Sequence, residues 1–180
     1  MNSRLTAPPA PAQNPPMHSP ETGFDRPLPY AELVPALAAL LAGEDDPIAT
    51  LANAAAAIFH AMPGLNWAGF YLRRGSVLVL GPFQGRPACV RIPLGQGVCG
   101  TAAAAARPVR VADVHDFPGH IACDPRSRSE LVIPLLADGA VAGVLDLDSP
   151  EPGRFTAADQ ALGIRLAALV APAAARLATP

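Results

Sequence analysis

Three cysteines, Cys89, Cys99 and Cys123, are the thiols of this 180-residue chain, and they lie together in its central stretch. Cys123 follows the turn-rich segment Gly119–Ala122 and precedes an aspartate, whereas an inert buried cysteine is expected inside an apolar run. Because a thiolate is a strong nucleophile that can be oxidised reversibly, this setting predicts sulfur chemistry at Cys123.

Three acidic residues are expected to lie close together on one face of a sheet. Asp146 and Asp148 alternate with leucines after the apolar run Val141–Leu145, so their side chains point to the same side of a strand. Glu130 begins the partner strand across the hairpin signal Asp138-Gly139. A water-facing edge is the alternative, but the apolar run favours a pocket wall. Such a cluster can bind a cation and raise the proton affinity of one member, which suits a small amino-acid ligand.

Metal binding is an alternative function for some of these residues. His115, His120, Cys99 and Cys123 have the donor types that zinc prefers. Their spacing lacks the paired Cys-x-x-Cys of a zinc site, so solvated loop histidines are favoured and no metal is predicted.

The elements that must position these residues begin with two helices. Leucines at helical spacing predict the first over Tyr30–Leu41, ended by Gly43, and Asp46 with Pro47 caps the second. A hairpin of aromatic and β-branched runs follows at Trp67–Leu72 and Val77–Leu80.

Trp67 and Tyr71 share one face of the first hairpin strand, where they either pack in the core or line a pocket with apolar rings and polar tips. Gly81–Pro87 is predicted to be a loop, and Ala88–Ile92 a short strand that carries Cys89.

Cys99 is predicted in the first turn of an alanine-rich helix, whose dipole would favour its thiolate. The remaining predicted elements are a strand at Val109–Val111, a long functional loop over Asp113–Arg128, strands at Leu131–Leu136 and Val141–Asp148, and a helix opened by Thr156.

These elements predict an α+β fold, in which a single domain over residues 30–180 has a central antiparallel sheet flanked by helices. Residues 1–29 hold eight of the 22 prolines and lack the apolar core of an export signal. This composition predicts a disordered proline-rich extension.

Composition and charge exclude several classes of protein. With 51% apolar residues, 16% charged residues and a net charge of −2, the chain offers no basic surface for nucleic acid. Arg165 interrupts the best apolar run, so no membrane span is predicted. We expect a cytoplasmic protein, in which three cysteines form no structural disulfide framework but a transient catalytic disulfide can form.

Several motifs together resemble the free methionine-(R)-sulfoxide reductases, a family with a GAF-type fold. The resemblance covers about residue 30 to the C-terminal helix and is carried by Asn66–Leu72, Leu80–Gly85, Ala88–Pro93, Gly97–Thr101, Asp113–His115, Gly119–Asp124, Ser129–Glu130 and Gly143–Ser149.

The resemblance implies an oxidoreductase that reduces free L-methionine-(R)-sulfoxide to L-methionine without a cofactor. It implies that Cys123 attacks the sulfoxide sulfur and is left as a sulfenic acid. Cys89 or Cys99 would then resolve it as a disulfide, which a thioredoxin-type reductant recycles. The substrate pocket would be built by Trp67, Tyr71, Glu130, Asp146 and Asp148.

The sequence leaves two other functions open. A ligand-sensing GAF module without turnover needs no cysteine, and a redox or metal sensor usually sits beside an output domain. The sequence leaves open which acid donates the proton and whether the protein is a monomer or a homodimer.

Overall fold

The computed structural model describes residues 23–24, 26–121 and 123–179. The elements within them are α1 (Tyr30–Leu41), α2 (Pro47–Ala61), β1 (Trp67–Arg74), β2 (Val77–Gly85), β3 (Arg91–Pro93), α3 (Gly97–Ala105), β4 (Val109–Val111), β5 (Ser129–Ala137), β6 (Ala140–Ser149) and α4 (Ala157–Leu177). The strands form a six-stranded sheet in the order β3-β2-β1-β6-β5-β4, which pairs antiparallel throughout and is flanked by helices. The predicted α+β architecture is confirmed.

The helix starts follow from capping residues. The Asp46 carboxylate accepts hydrogen bonds from the backbone N–H groups of Ile48 and Ala49 at 2.8 and 2.9 Å, with Pro47 as the first residue of α2. Thr156 and Asp159 form a reciprocal capping box at the start of α4. Both predicted caps are therefore confirmed.

The sheet separates two apolar cores. Helices α1, α2 and α4 pack against one face, which presents residues such as Phe70, Leu131 and Leu145. The opposite face presents Trp67 and Tyr71 toward α3 and the loops. Because side chains alternate along a strand, the central strands β1, β5 and β6 supply both cores.

The hairpin of β5 and β6 turns at Asp138 and Gly139, whose φ values of 50° and 76° are those of a type I′ turn. A register shift between Leu135 and Leu136 follows the turn, and beyond this shift Glu130 pairs with Asp148. The predicted hairpin is confirmed, and its register determines which acidic residues meet.

Two predictions about strand β2 and the segment that follows it are wrong. The segment predicted as a loop over Gly81–Pro87 continues β2 as far as Gly85. It does so because the register shifts where Gly69 and Tyr71 of β1 pair with Phe83 and Leu80, and this bulge tolerates the proline in between. Strand β3 begins only at Arg91, so Cys89 lies in a loop and not on a strand.

The long segment Asp113–Arg128 is a loop as predicted, with one turn of 3-10 helix at Val114–Asp116. At the C-terminal end of the loop, the backbone is hydrogen-bonded to the end of β6, because the Arg128 N–H donates to the Ser149 carbonyl at 2.7 Å. The loop therefore lies across the ends of β5 and β6.

The packed domain begins ahead of Tyr30. Phe24 is buried in the helical core, and the Leu28 N–H donates to the Ala61 carbonyl at 3.1 Å. Of the predicted extension over residues 1–29, residues 1–22 and residue 25 lie outside the described residues, so its disorder stays a prediction there.

Helix α4 is long and apolar enough to cross a membrane by length and composition alone. Its buried face, which includes Leu162, Leu166 and Val170, packs against β5, β6 and α2, as the core helix of a folded domain does.

Candidate active site

One pocket collects most of the chemically active residues predicted from the sequence. It lies where the ends of β5 and β6 meet the start of α3 and the loop Asp113–Arg128, and its cavity volume is about 30 Å³. The side chains around it that can do chemistry are Cys99, His120, Cys123, Glu130, Asp146 and Asp148. A space of this size holds a water-sized species.

The acidic cluster forms as the strand alternation predicted. Asp146 and Asp148 point to the same face of β6, while Glu130 of β5 pairs directly with Asp148. Glu130 and Asp146 are each only 6% exposed. The water-facing alternative, which concerned Asp146 and Asp148, is therefore wrong for Asp146.

Burial and mutual repulsion keep protons on this cluster. Burial raises the pKa of Asp146 from its ordinary value of 3.8 to about 7. Burial, followed by the negative charge of Asp146, raises the pKa of both Glu130 and Asp148 well above the ordinary range. At neutral pH the pocket therefore contains carboxylic acid groups that can donate a proton.

The structure pairs two of the three cysteines. Cys89 and Cys123 form a disulfide between Cα atoms 5.4 Å apart and 34 residues apart in sequence. Cys89 comes from the loop between β2 and β3, and Cys123 from the loop Asp113–Arg128. Of the two, Cys123 lines the pocket.

Cys99 stays a buried thiol. It lies in the first turn of α3 as predicted, and its Sγ is 3.8 Å from Glu130 Oε1. The expected thiolate is not supported, because burial and the charges of Asp146 and Glu130 raise the pKa of Cys99 well above its ordinary value. At this position desolvation outweighs the helix dipole.

Trp67 and Tyr71 share a face and stack with ring centroids 5.9 Å apart. Both are fully buried in the core beside α3, and the Trp67 indole N–H donates to the Arg86 carbonyl at 3.1 Å. Neither ring lines the cavity in this disulfide form, so their role in substrate binding stays a prediction. Phe83, which the sequence analysis placed in a loop, stacks on Trp67 at 5.3 Å.

A polar network that the sequence analysis missed holds the Cys123 loop in place. Asn66 donates to Asp124 Oδ2 at 3.2 Å and to Ser127 Oγ at 3.0 Å. The Arg126 guanidinium donates to Asp124 at 2.8 Å and holds the pKa of that carboxyl well below its usual range. The signal available in the sequence was the aspartate directly after the cysteine.

His120, from the loop Asp113–Arg128, also lines the pocket. Its Nε2 is 3.8 Å from Glu130 Oε2, and burial followed by the charge of His115 lowers its pKa. The metal pairing considered from sequence, His120 with Cys123, is not available in this form because Cys123 is in the disulfide. A different group, Cys99, Glu130 and Asp146, has ligand atoms within 4.8 Å of one another and could hold an ion.

Comparison with known proteins gives a consistent picture. The family model for the GAF domain matches residues 46–174. The chain is 54% identical over 131 residues to the free methionine-R-sulfoxide reductase of Escherichia coli, covering 73% of this chain and 79% of that protein. It is 43% identical over 136 residues to the enzyme of the same name from Saccharomyces cerevisiae, covering 71% and 76%.

A solved structure is similar as well. The X-ray structure of free methionine-R-sulfoxide reductase from Neisseria meningitidis in complex with its substrate superposes with a TM-score of 0.78 at 45% identity. The match covers 83% of this chain and 92% of that one.

Proposed function

Because the chain belongs to the GAF-domain family of free methionine-R-sulfoxide reductases, we propose that it reduces free L-methionine-(R)-sulfoxide to L-methionine. The observation that carries the proposal is the Cys89–Cys123 disulfide at the edge of a pocket lined by Glu130, Asp146 and Asp148. The site thus combines an oxidisable thiol pair with groups for an ammonium and a proton.

The first step is attack of the Cys123 thiolate on the sulfoxide sulfur. The sulfoxide oxygen takes up one proton and ends on the cysteine, so that methionine leaves and Cys123 becomes a sulfenic acid. Cys123 suits this role because it lines the pocket. Cys99 also lines the pocket, but its raised pKa makes it a poor nucleophile.

The second step forms the disulfide. The Cys89 thiol attacks the sulfenic acid of Cys123, and water leaves as the S–S bond forms. Of the two resolving candidates that the sequence left open, we assign this step to Cys89, because its sulfur is already bonded to Cys123.

The acidic residues divide between binding and proton supply. An ionised carboxylate pairs with the substrate ammonium, while a protonated one donates to the departing oxygen. The raised pKa values of Glu130, Asp146 and Asp148 supply both forms near neutral pH. A methionine sulfoxide within a protein has no such ammonium, so charge pairing selects the free amino acid.

A second turnover requires that the disulfide is reduced and that the pocket opens. Both disulfide cysteines are half-buried, and the neighbouring Val90 is 56% exposed, which offers an apolar contact to a thioredoxin-type reductant. The cavity of about 30 Å³ is far smaller than methionine sulfoxide. We therefore assign the disulfide form to the end of the reaction, and the Cys123 loop must move before the next substrate enters.

The proposal is tested by measuring methionine formed from each separated sulfoxide epimer. The protein is incubated with each epimer of free methionine sulfoxide and with dithiothreitol or a thioredoxin system. N-acetyl-methionine sulfoxide, which lacks the ammonium, serves as the matched substrate control. We expect methionine from the free R epimer alone. If neither epimer yields methionine with a competent reductant, or if only the acetylated or protein-bound substrate reacts, the proposal is wrong.

A further inference from the structure

Four side chains with different metal-binding atoms converge on the pocket. The ligand atoms of Cys99, Glu130 and Asp146 lie within 4.8 Å of one another. Cys99 Sγ is 3.8 Å from Glu130 Oε1, and His120 Nε2 is 3.8 Å from Glu130 Oε2. One thiol and two carboxyl groups therefore lie close enough to share an ion, and the imidazole of His120 stands beside Glu130.

An unpaired buried oxygen provides a second, independent indication of a ligand. Asp146 is 94% buried, and its Oδ1 has no hydrogen-bond partner among the described residues. Burying a carboxylate oxygen without a partner is unfavourable, so a donor or a cation is expected beside it. The adjoining cavity of about 30 Å³ matches a single ion or water.

We propose that the disulfide form binds one zinc-type divalent cation between Cys99, Glu130 and Asp146, and that His120 moves in from the loop Asp113–Arg128 as the fourth ligand. Zinc bonds of about 2.3 Å to sulfur and about 2.0–2.2 Å to nitrogen and oxygen place tetrahedral ligand atoms roughly 3.3–3.7 Å apart. The two distances of 3.8 Å come close to this spacing. Calcium and magnesium prefer oxygen ligands alone and do not suit a thiol with an imidazole.

Zinc binding changes the protonation of Cys99 but not the oxidation state of any sulfur. The Cys99 S–H bond breaks as the sulfur–zinc bond forms, and the proton passes to solvent. The Cys89–Cys123 disulfide is untouched. Because His120 belongs to the loop Asp113–Arg128 and the other ligands to the sheet and α3, the ion fastens the loop over the pocket.

The ion would compete with the substrate, a consequence that rests on the proposed function. It occupies the carboxylates that we assign to the substrate ammonium and to proton donation. Zinc should therefore inhibit turnover reversibly, and a chelator should restore the rate.

The test uses the full-length oxidised protein, in which thiol titration must find one free thiol per chain. Co²⁺ serves as the probe, because a cobalt–thiolate bond gives a charge-transfer absorption band and tetrahedral cobalt gives intense visible bands. We expect one equivalent of Co²⁺ to produce both, and Zn²⁺ to displace it. Cys99→Ser should lose the charge-transfer band, and Asp146→Asn or His120→Gln should weaken Co²⁺ binding more than about tenfold.

His115→Gln is the matched control, because this histidine lies in the same loop but points its Nδ1 at Asp113, 2.8 Å away. It should bind Co²⁺ like the wild type. If Cys99→Ser does not fold, the Asp146→Asn and His120→Gln titrations decide the question. Absence of the charge-transfer band in the wild type, its persistence in Cys99→Ser, or wild-type affinity in both other variants overturns the proposal.

Failure of the metal site and failure of the proposed function are distinguishable. Cobalt binding is measured without substrate or reductant, so an inactive protein that shows the Cys99-dependent band refutes only the reductase proposal. An active reductase without the band refutes only the metal site.

Discussion

Replacing Asp146 with asparagine should make the protein more stable at alkaline pH and a poorer catalyst. The carboxyl group is 94% buried and stands next to two other acids, so its ionisation is unfavourable in the folded protein. Asparagine has nearly the same size and keeps one acceptor oxygen, but it cannot ionise or supply a carboxylic proton. The substitution therefore removes the charge and leaves the packing.

The size of the effect follows from the pKa. Burial raises the pKa of Asp146 from 3.8 to about 7, so the folded protein holds this proton more tightly than the unfolded chain does. The resulting stability is complete below the unfolded value and is lost as the pH rises through about 7. Three pKa units correspond to about 4 kcal/mol, or roughly 8–16 °C in Tm for a domain of this size.

Urea unfolding at about pH 5 and about pH 8 spans about two of these three pKa units, so it measures roughly 3 kcal/mol of the effect. The wild type should lose unfolding free energy over this interval, and Asp146→Asn should lose much less. Asp138→Asn is the matched control, because it makes the same chemical change at an exposed turn. The kcat/KM of Asp146→Asn should fall roughly ten- to a hundredfold, as expected for one charge-assisted contact. Parallel pH curves for Asp146→Asn and the wild type would refute the reasoning.

Other perturbations test the remaining parts of the site and fold. Cys123→Ser should abolish methionine release even in a single turnover without reductant, whereas Cys89→Ser should release one equivalent and then recycle slowly. Quench-flow with product counting separates these cases, and full single-turnover activity in Cys123→Ser would reassign the nucleophile. Glu130→Gln should lower kcat/KM by roughly ten- to a hundredfold with the fold retained, and unchanged kinetics would remove this residue from the mechanism. Removing residues 1–29 takes Phe24 out of the core and should lower the free energy of unfolding by roughly 3 kcal/mol. Removing residues 1–22 should leave it unchanged. Thermal unfolding compares the two truncations, and equal Tm values would contradict this packing.

Features that depend on local periodicity could be predicted from the sequence. The alternation of Asp146 and Asp148 with leucines set their common face, and the Asp138-Gly139 turn placed Glu130 on the partner strand. The register shift between Leu135 and Leu136, which pairs Glu130 with Asp148, is not part of that pattern. The helix caps at Asp46 and Thr156 were equally local. Such features follow from neighbours within a few residues, where backbone preferences are strong.

Features that depend on distant segments could not be predicted in this way. Glycine and proline suggested a loop after Leu80, but pairing with β1 through a bulge extended the strand to Gly85. The pairing of Cys89 with Cys123 joins two loops 34 residues apart, and neither loop has a periodicity that fixes its position. The high pKa of Cys99 comes first from burial and then from carboxylates supplied by two other elements. Tertiary contacts decide each of these properties.

The carboxylates and the disulfide cysteines of the pocket belong to different kinds of element, and this placement has an evolutionary consequence. The carboxylates stand on paired strands, whereas both sulfurs of the disulfide come from loops. Loops accept substitutions that a central sheet does not. Loss of Cys89 and Cys123 alone would thus leave a receptor for a small cationic ligand on an intact scaffold, and their gain would turn such a receptor into an enzyme. The acid pattern on β5 and β6, read without the cysteines, should therefore identify GAF domains that bind amino acids without transforming them.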